Sequence, residues 1–151
     1  MNDPYDLQRF VRAQEMNFDA ARDELRRGRK TSHWMWYVFP QIEGLGHSAT
    51  TQKFAIQSKG EALAYLAHPV LGRRLTECTE IVNGLEGRSA RGIFGSPDDM
   101  KFRSSMTLFD KVSPEARIFK SGLVKYFDGE PDPRTLERMR ANPAAWARNP
   151  E

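Results

Sequence analysis

Asp98, Lys101 and Ser105 place a carboxylate, an ammonium and a hydroxyl three and four residues apart, so all three share one face of a helix. Ser104 stands beside them. Such a face can orient a ribose or a phosphate, or position a water with Asp98 as catalytic base. The first turn of that helix offers backbone donors to an anion, although Asp98 and Asp99 would oppose one there. Capping and solvated charge account for the same residues more simply. A shared site therefore needs a second group to converge on them.

The candidate partner is Arg29–Ser48, which holds two of the three tryptophans, two of the three histidines and Gln41. Arg26, Arg27, Arg29 and Lys30 lead into it, and Gly44-Leu45-Gly46 supplies a flexible turn. Aromatic faces, an imidazole and an amide at the edge of an apolar run suit a pocket for a polar, ring-bearing ligand. Trp34 and Trp36 project about 200° apart on a helix, so one belongs to core and the other can line a cleft. In this scheme His33 is a general acid or phosphate contact. Trp34 or Trp36 stacks a base, Gln41 reads its edge, and Lys101, Ser104 and Ser105 hold the ribose. The geometric expectation is that His33 or Gln41 approaches Asp98, Lys101 or Ser105 across a cleft. A purely structural role for all of them predicts no such convergence.

Composition narrows the chemistry. The chain has 151 residues, 28% charged and 39% hydrophobic, which fits one folded domain. Its net charge of +3 and pI near 9.2 permit a phosphate-bearing partner without demanding one. The single cysteine, Cys78, excludes an internal disulfide and a cysteine-rich zinc site, and points to a cytoplasmic protein. No membrane-length apolar run is present. Dinucleotide and phosphate-loop fingerprints, metalloprotease and deaminase zinc motifs and a nucleophile elbow are all missing. The expectation is a site with no cofactor and no metal.

Helix punctuation then says what must position these groups. Asp3-Pro4 predicts a helix through Leu7, Phe10 and Gln14, and Asn17 a second through Phe18, Ala21 and Leu25 to Gly28. Trp34–Phe39 reads as a short buried helix at the centre of the fold, capped by Thr31 or Ser32 and ended by Pro40. Ser58–Glu61 matches a capping box. Leu71, Leu75, Cys78, Val82 and Leu85 form an amphipathic stripe after Pro69. Ser89, Ser96-Pro97, Ser113-Pro114 and Asp132-Pro133 each announce a further helix. No hairpin signal occurs. The fold class is all-α: a single compact domain of short helices over 1–141, about seven to nine of them, with 142–151 a peripheral C-terminal tail.

Four stretches carry a family resemblance: DLQRFVRAQ, GRKTSHWMWYVFPQIEGLGHS, YLAHPVLGRRLTEC and IFGSPDDMKFRSSMTLF. On these the chain resembles domain-of-unknown-function family 1810, sometimes labelled calpastatin-like. The resemblance implies a compact, mainly helical bacterial protein and no particular activity. The calpastatin label fits poorly, because calpastatin-like inhibitory segments are disordered and this composition is that of a folded domain. A fainter resemblance is to the NADAR family of helical N-glycosidases, through the order of His33-Trp34-Met35 and Phe94–Asp99. Ser32 stands where that family has a glutamate.

Three functions remain open. The first is binding, or N-glycoside hydrolysis, of a nucleoside- or nucleotide-like small molecule. The second is a non-catalytic helical protein-interaction module. The third is weak nucleic-acid binding through the basic ridge of Arg22, Arg26, Arg27, Arg29 and Lys30, for which a solvated helix face is the simpler account. No membrane partner is expected.

Overall fold

The structure is a computed structural model that describes residues 2–147. In chain order the helices are α1 (Gln8–Glu15), α2 (Phe18–Arg26), α3 (Met35–Val38), α4 (Ala49–Phe54), α5 (Lys59–Ala67) and α6 (Leu71–Gly84). They continue as α7 (Ala90–Phe94), α8 (Asp98–Val112), α9 (Ile118–Phe127), α10 (Pro133–Ala141) and α11 (Pro143–Trp146). The protein is all-α. Among the described residues the only sheet-like contact is a lone parallel bridge from Ile42 to Ile56. No described helix is long and apolar enough to cross a membrane.

Helix α8 runs through the middle. Phe102, Met106, Leu108 and Phe109 are buried, as are the hydroxyl residues Ser104, Ser105 and Thr107. A helix apolar on more than one side must be covered on more than one side, and α5, α7, α9 and α10 pack around it. Phe102 stacks on Phe94 at 4.7 Å and meets Phe39 edge-on at 5.2 Å, which joins α8 to α7 and to the end of α3. Phe109 reaches Tyr65 of α5 and Phe119 of α9. Helices α5 and α6 approach so closely that a Cβ on Gly72 would lie 2.0 Å from the Leu66 carbonyl oxygen.

The cap chemistry is partly as the sequence predicts. Ser58 accepts from the Glu61 amide, Ser89 from Gly92 and Asp132 from Thr135. Other starts differ. Asp3 accepts from the amides of Leu7 and Gln8 across an intervening turn, so it caps α1 from further upstream. Neither Thr31 nor Ser32 caps α3: Trp34 occupies the cap position, and the Ser32 hydroxyl and both amides go to Glu24 of α2. Ser96 does not cap α8; Pro97 occupies that position without a side-chain bond. After Ser113 a single 3-10 turn and a positive φ at Arg117 intervene before α9.

Helix α4, polar and threonine-rich, carries too little apolar periodicity to be predicted. The stretch from Asn142, expected to be peripheral, forms α11, and its Trp146 is only 6% exposed against the core. The indole, with Ala145 beside it, supplies the apolar area that docks this short helix. The end of the expected tail, 148–151, lies outside the described residues.

Candidate functional site

The site is built from a buried carboxylate outward. Glu24, on the inner face of α2, accepts from the amides of Thr31 (2.7 Å) and Ser32 (3.0 Å), the Ser32 hydroxyl (2.5 Å) and the Trp34 indole (3.0 Å). Burial alone would raise its pKa. The donors from Ser32, Thr31 and Trp34 together outweigh burial and bring it from 4.5 down to about 2. This anchor fixes the turn from α2 into α3, and the Lys30 amide is tied in turn to the Ile93 carbonyl of α7 at 2.7 Å.

So placed, the Lys30 side chain is nearly buried. Its ammonium lies 2.8 Å from Asp98 Oδ2 and 5.2 Å from the centre of the Trp34 ring. Lys101, one turn along α8, approaches the other oxygen, Oδ1, at 3.3 Å. The Lys101 ammonium also sits 4.8 Å from the centre of the half-buried Trp36 ring. Two ammonium groups therefore share one carboxylate. The cluster keeps a formal positive charge, and Lys101 is its more exposed member.

Beyond Lys101 opens a cleft of about 360 Å³. The polar groups around it are Gln41, Thr51, Lys101, Ser104, Asp132 and Arg134, with Leu45 and Met100 as apolar wall. A recess of about 10 Å³, room for about one water, adjoins it against Trp36, Ile42 and Phe54 and shares Gln41, Leu45 and Thr51 with it. The volume is that of a small-molecule site. Among the described residues no group of three or more His, Cys, Asp or Glu side chains gathers to hold a metal.

Both walls of the cleft are held in place. On the loop side, α10 clamps residues 43–45: Arg134 donates to the Leu45 carbonyl at 2.8 Å and Arg138 to Glu43 at 2.5 Å. Gly44 has φ +88, and a Cβ there would fall 2.3 Å from Arg138 Nε, so only glycine suits this turn. On the helix side, Asp132 Oδ2 accepts from the Ser104 hydroxyl (2.9 Å), the Thr135 hydroxyl (2.6 Å) and the Thr135 amide (3.0 Å). The Asp132 amide donates to Thr107 at 2.8 Å.

The sequence-derived candidates separate into two groups. Gln41, Lys101 and Ser104 line the one cleft, with Trp36 against Lys101 and Asp98 directly behind it. Two segments far apart in sequence thus meet there. The others lie elsewhere. Trp34 is fully buried and bonded to Glu24, so it cannot stack a ligand. Ser105 is fully buried on the core side of α8, and its hydroxyl has no partner. His33 is exposed and absent from the cleft lining, with its carbonyl accepting from Tyr37 at 3.3 Å. Asp98 has both oxygens engaged by lysines, a poor arrangement for a base.

Sequence reasoning missed Glu24, Thr51, Asp132 and Arg134. Asp132 was legible only as a cap, and Arg134 with Arg138 only as residues four apart on α10. Burial, with Glu77 adding to it, pushes the Cys78 thiol up to about 12, which leaves that thiol inert. The basic ridge is largely engaged in ion pairs. Arg22 meets Asp19 and Glu77, Arg26 meets Asp23 and Glu77, and Lys30 meets Asp98.

A family model described as a protein of unknown function, DUF1810, matches residues 4–139. The chain belongs to the DUF1810 family. Among solved structures it is similar to the conserved hypothetical protein Rv1873 from Mycobacterium tuberculosis, with 50% identity and a TM-score of 0.89. That match covers 90% of this chain and 97% of the mycobacterial one. No functionally curated protein matches. These matches support the DUF1810 resemblance and lend nothing to the fainter one to N-glycosidases.

Proposed function

We propose that this DUF1810 protein binds a nucleoside- or nucleotide-like small molecule in the cleft between the 41–51 segment and helices α8 and α10. One observation carries the reading: Gln41 and Thr51 from one side, and Lys101, Ser104, Asp132 and Arg134 from the other, line a single cavity of about 360 Å³. Core packing gives apolar neighbours a reason to meet. Asp132, Ser104, Arg134 and Lys101 each hold a neighbouring element as well, but their wall-holding bonds do not require them to surround one open space with Gln41 and Thr51. Lys101 and Arg134 supply positive charge for an anionic group. Gln41 can read a ring edge, and Leu45 and Met100 offer apolar surface to a ring.

Binding is favoured ahead of N-glycoside hydrolysis. Hydrolysis with Asp98 as the base would need that carboxylate free to take a proton from water, and Lys30 and Lys101 hold both of its oxygens. A thermal-shift screen of nucleotides, ADP-ribose and riboflavin precursors tests the reading. At least one compound should raise the melting temperature, and the rise should grow with the logarithm of its concentration above Kd; Lys101→Ala should diminish it. A panel that leaves the melting temperature unmoved removes the proposal.

A further inference from the structure

Asp132 differs from the other acidic groups near the cleft. It is 5% exposed yet lines the cavity. All of its side-chain hydrogen bonds fall on Oδ2, and its amide is fixed by Thr107. Oδ1 has no hydrogen-bond partner among the described residues. Asp98, by contrast, has a lysine on each oxygen. Oδ1 is the oxygen left open to the cleft, where water supplies its donor until a ligand hydroxyl takes that water's place. Because Oδ2 is immobilised, the position of Oδ1 is set before any ligand arrives, and a hydroxyl meeting it forms a charge-assisted bond. Ser104 and Thr51 add hydroxyl groups to the same lining, while Lys101 and Arg134 add cations.

We infer that Asp132 reads a ligand hydroxyl, and that Lys101 and Arg134 hold a phosphate or carboxylate on the same molecule. The cleft thus recognises the polyhydroxylated, anionic part of its ligand, with a sugar phosphate as the minimal unit. The inference rests on the small-molecule reading above and assigns the groups within it. A site that hydrogen-bonds a substrate hydroxyl rejects the analogue lacking it, because its own polar group is left unpaired.

Calorimetric titration of the full chain with ribose 5-phosphate and with 2-deoxyribose 5-phosphate provides the test. Ribose 5-phosphate should bind roughly 10- to 100-fold more tightly, the range for one hydrogen bond to a charged group. Asp132→Asn should erase that difference while keeping the α10 cap, since Asn caps as well as Asp. Asp132→Ser, another good cap with a shorter reach, should do the same. Lys101→Met should weaken both sugars and preserve their ratio. Equal affinity in the wild type, or discrimination that survives both Asp132 variants, overturns the assignment. If nucleotides stabilise the protein while the two sugar phosphates bind alike, only the Asp132 assignment falls. If neither class binds, the cleft reading falls with it.

Discussion

Two charged clusters in this protein use the same kinds of side chain to opposite ends. In the first, Arg9 donates to the carbonyls of Tyr5, Asp6, Lys53 and Ala55 and pairs with Glu61 at 2.6 Å, its guanidinium 4.3 Å from the centre of the Phe10 ring. Glu61 uses its second oxygen on the Gln57 amide. These donors end on backbone or on a buried carboxylate, so the cluster ties the start of α1 to α4 and α5. In the second, Lys101 pairs with Asp98, lies against Trp36 and still faces a cavity. Complete satisfaction marks a group that holds the fold together. Lys101 instead keeps donors open to the cleft, where a ligand or water can meet them.

The difference has measurable consequences. Glu61→Ala removes a buried partner and leaves Arg9 uncompensated, so urea unfolding should show a loss of about 3–5 kcal/mol. Glu24→Gln should come next. A carboxyl drawn from 4.5 to about 2 contributes about 3 kcal/mol at neutral pH. Because the folded pKa is the lower one, this contribution is full above about pH 4.5 and disappears as pH falls through about 2. Stability curves of wild type and Glu24→Gln should therefore converge near pH 2 and stand furthest apart above pH 5. Parallel curves would show that the charge on Glu24 is not what anchors the Thr31–Trp34 turn.

Gly44→Ala should cost about 1–2 kcal/mol from the positive φ alone. It should also reduce ligand affinity, by pushing Arg138 away and loosening the loop that forms one wall. Lys101→Ala should be smallest in stability, at most about 1 kcal/mol, since the pair is half-buried and Asp98 keeps its bond to Lys30. Its effect belongs in the binding assay. A Lys101→Ala variant as destabilised as Glu61→Ala would erase the distinction between the two clusters.

The sequence announced the helical class because its starts are written in proline and serine punctuation and its long helices carry regular apolar stripes. It hid α4, whose burial rests on Phe54 alone, and the docking of Trp146, which depends on a surface built by α5 and α10. The site was half legible. Of the candidate cleft, Gln41 shows in the sequence as an amide at the edge of an apolar run and Lys101 and Ser104 as part of the polar cluster with Asp98, while Trp36 is one of two alternatives that only helix orientation separates. Asp132 and Arg134 carry no local mark of a site. Their place in the cleft lining comes from α10 packing beside α8, a contact between segments that no spacing rule encodes. Ser105 misled because helical periodicity puts it on the face of Asp98 and Lys101 while that face turns inward along α8.

Amide chemical-shift mapping by NMR during titration with AMP and with ADP-ribose reports which face of the protein a ligand meets. Saturable shifts are expected at Gln41–Thr51, Met100–Ser104 and Asp132–Arg134, with the exposed ridge at Arg26, Arg27 and Arg29 unmoved. Saturable shifts confined to that ridge, or no saturable shifts from either ligand, would contradict binding in the cleft.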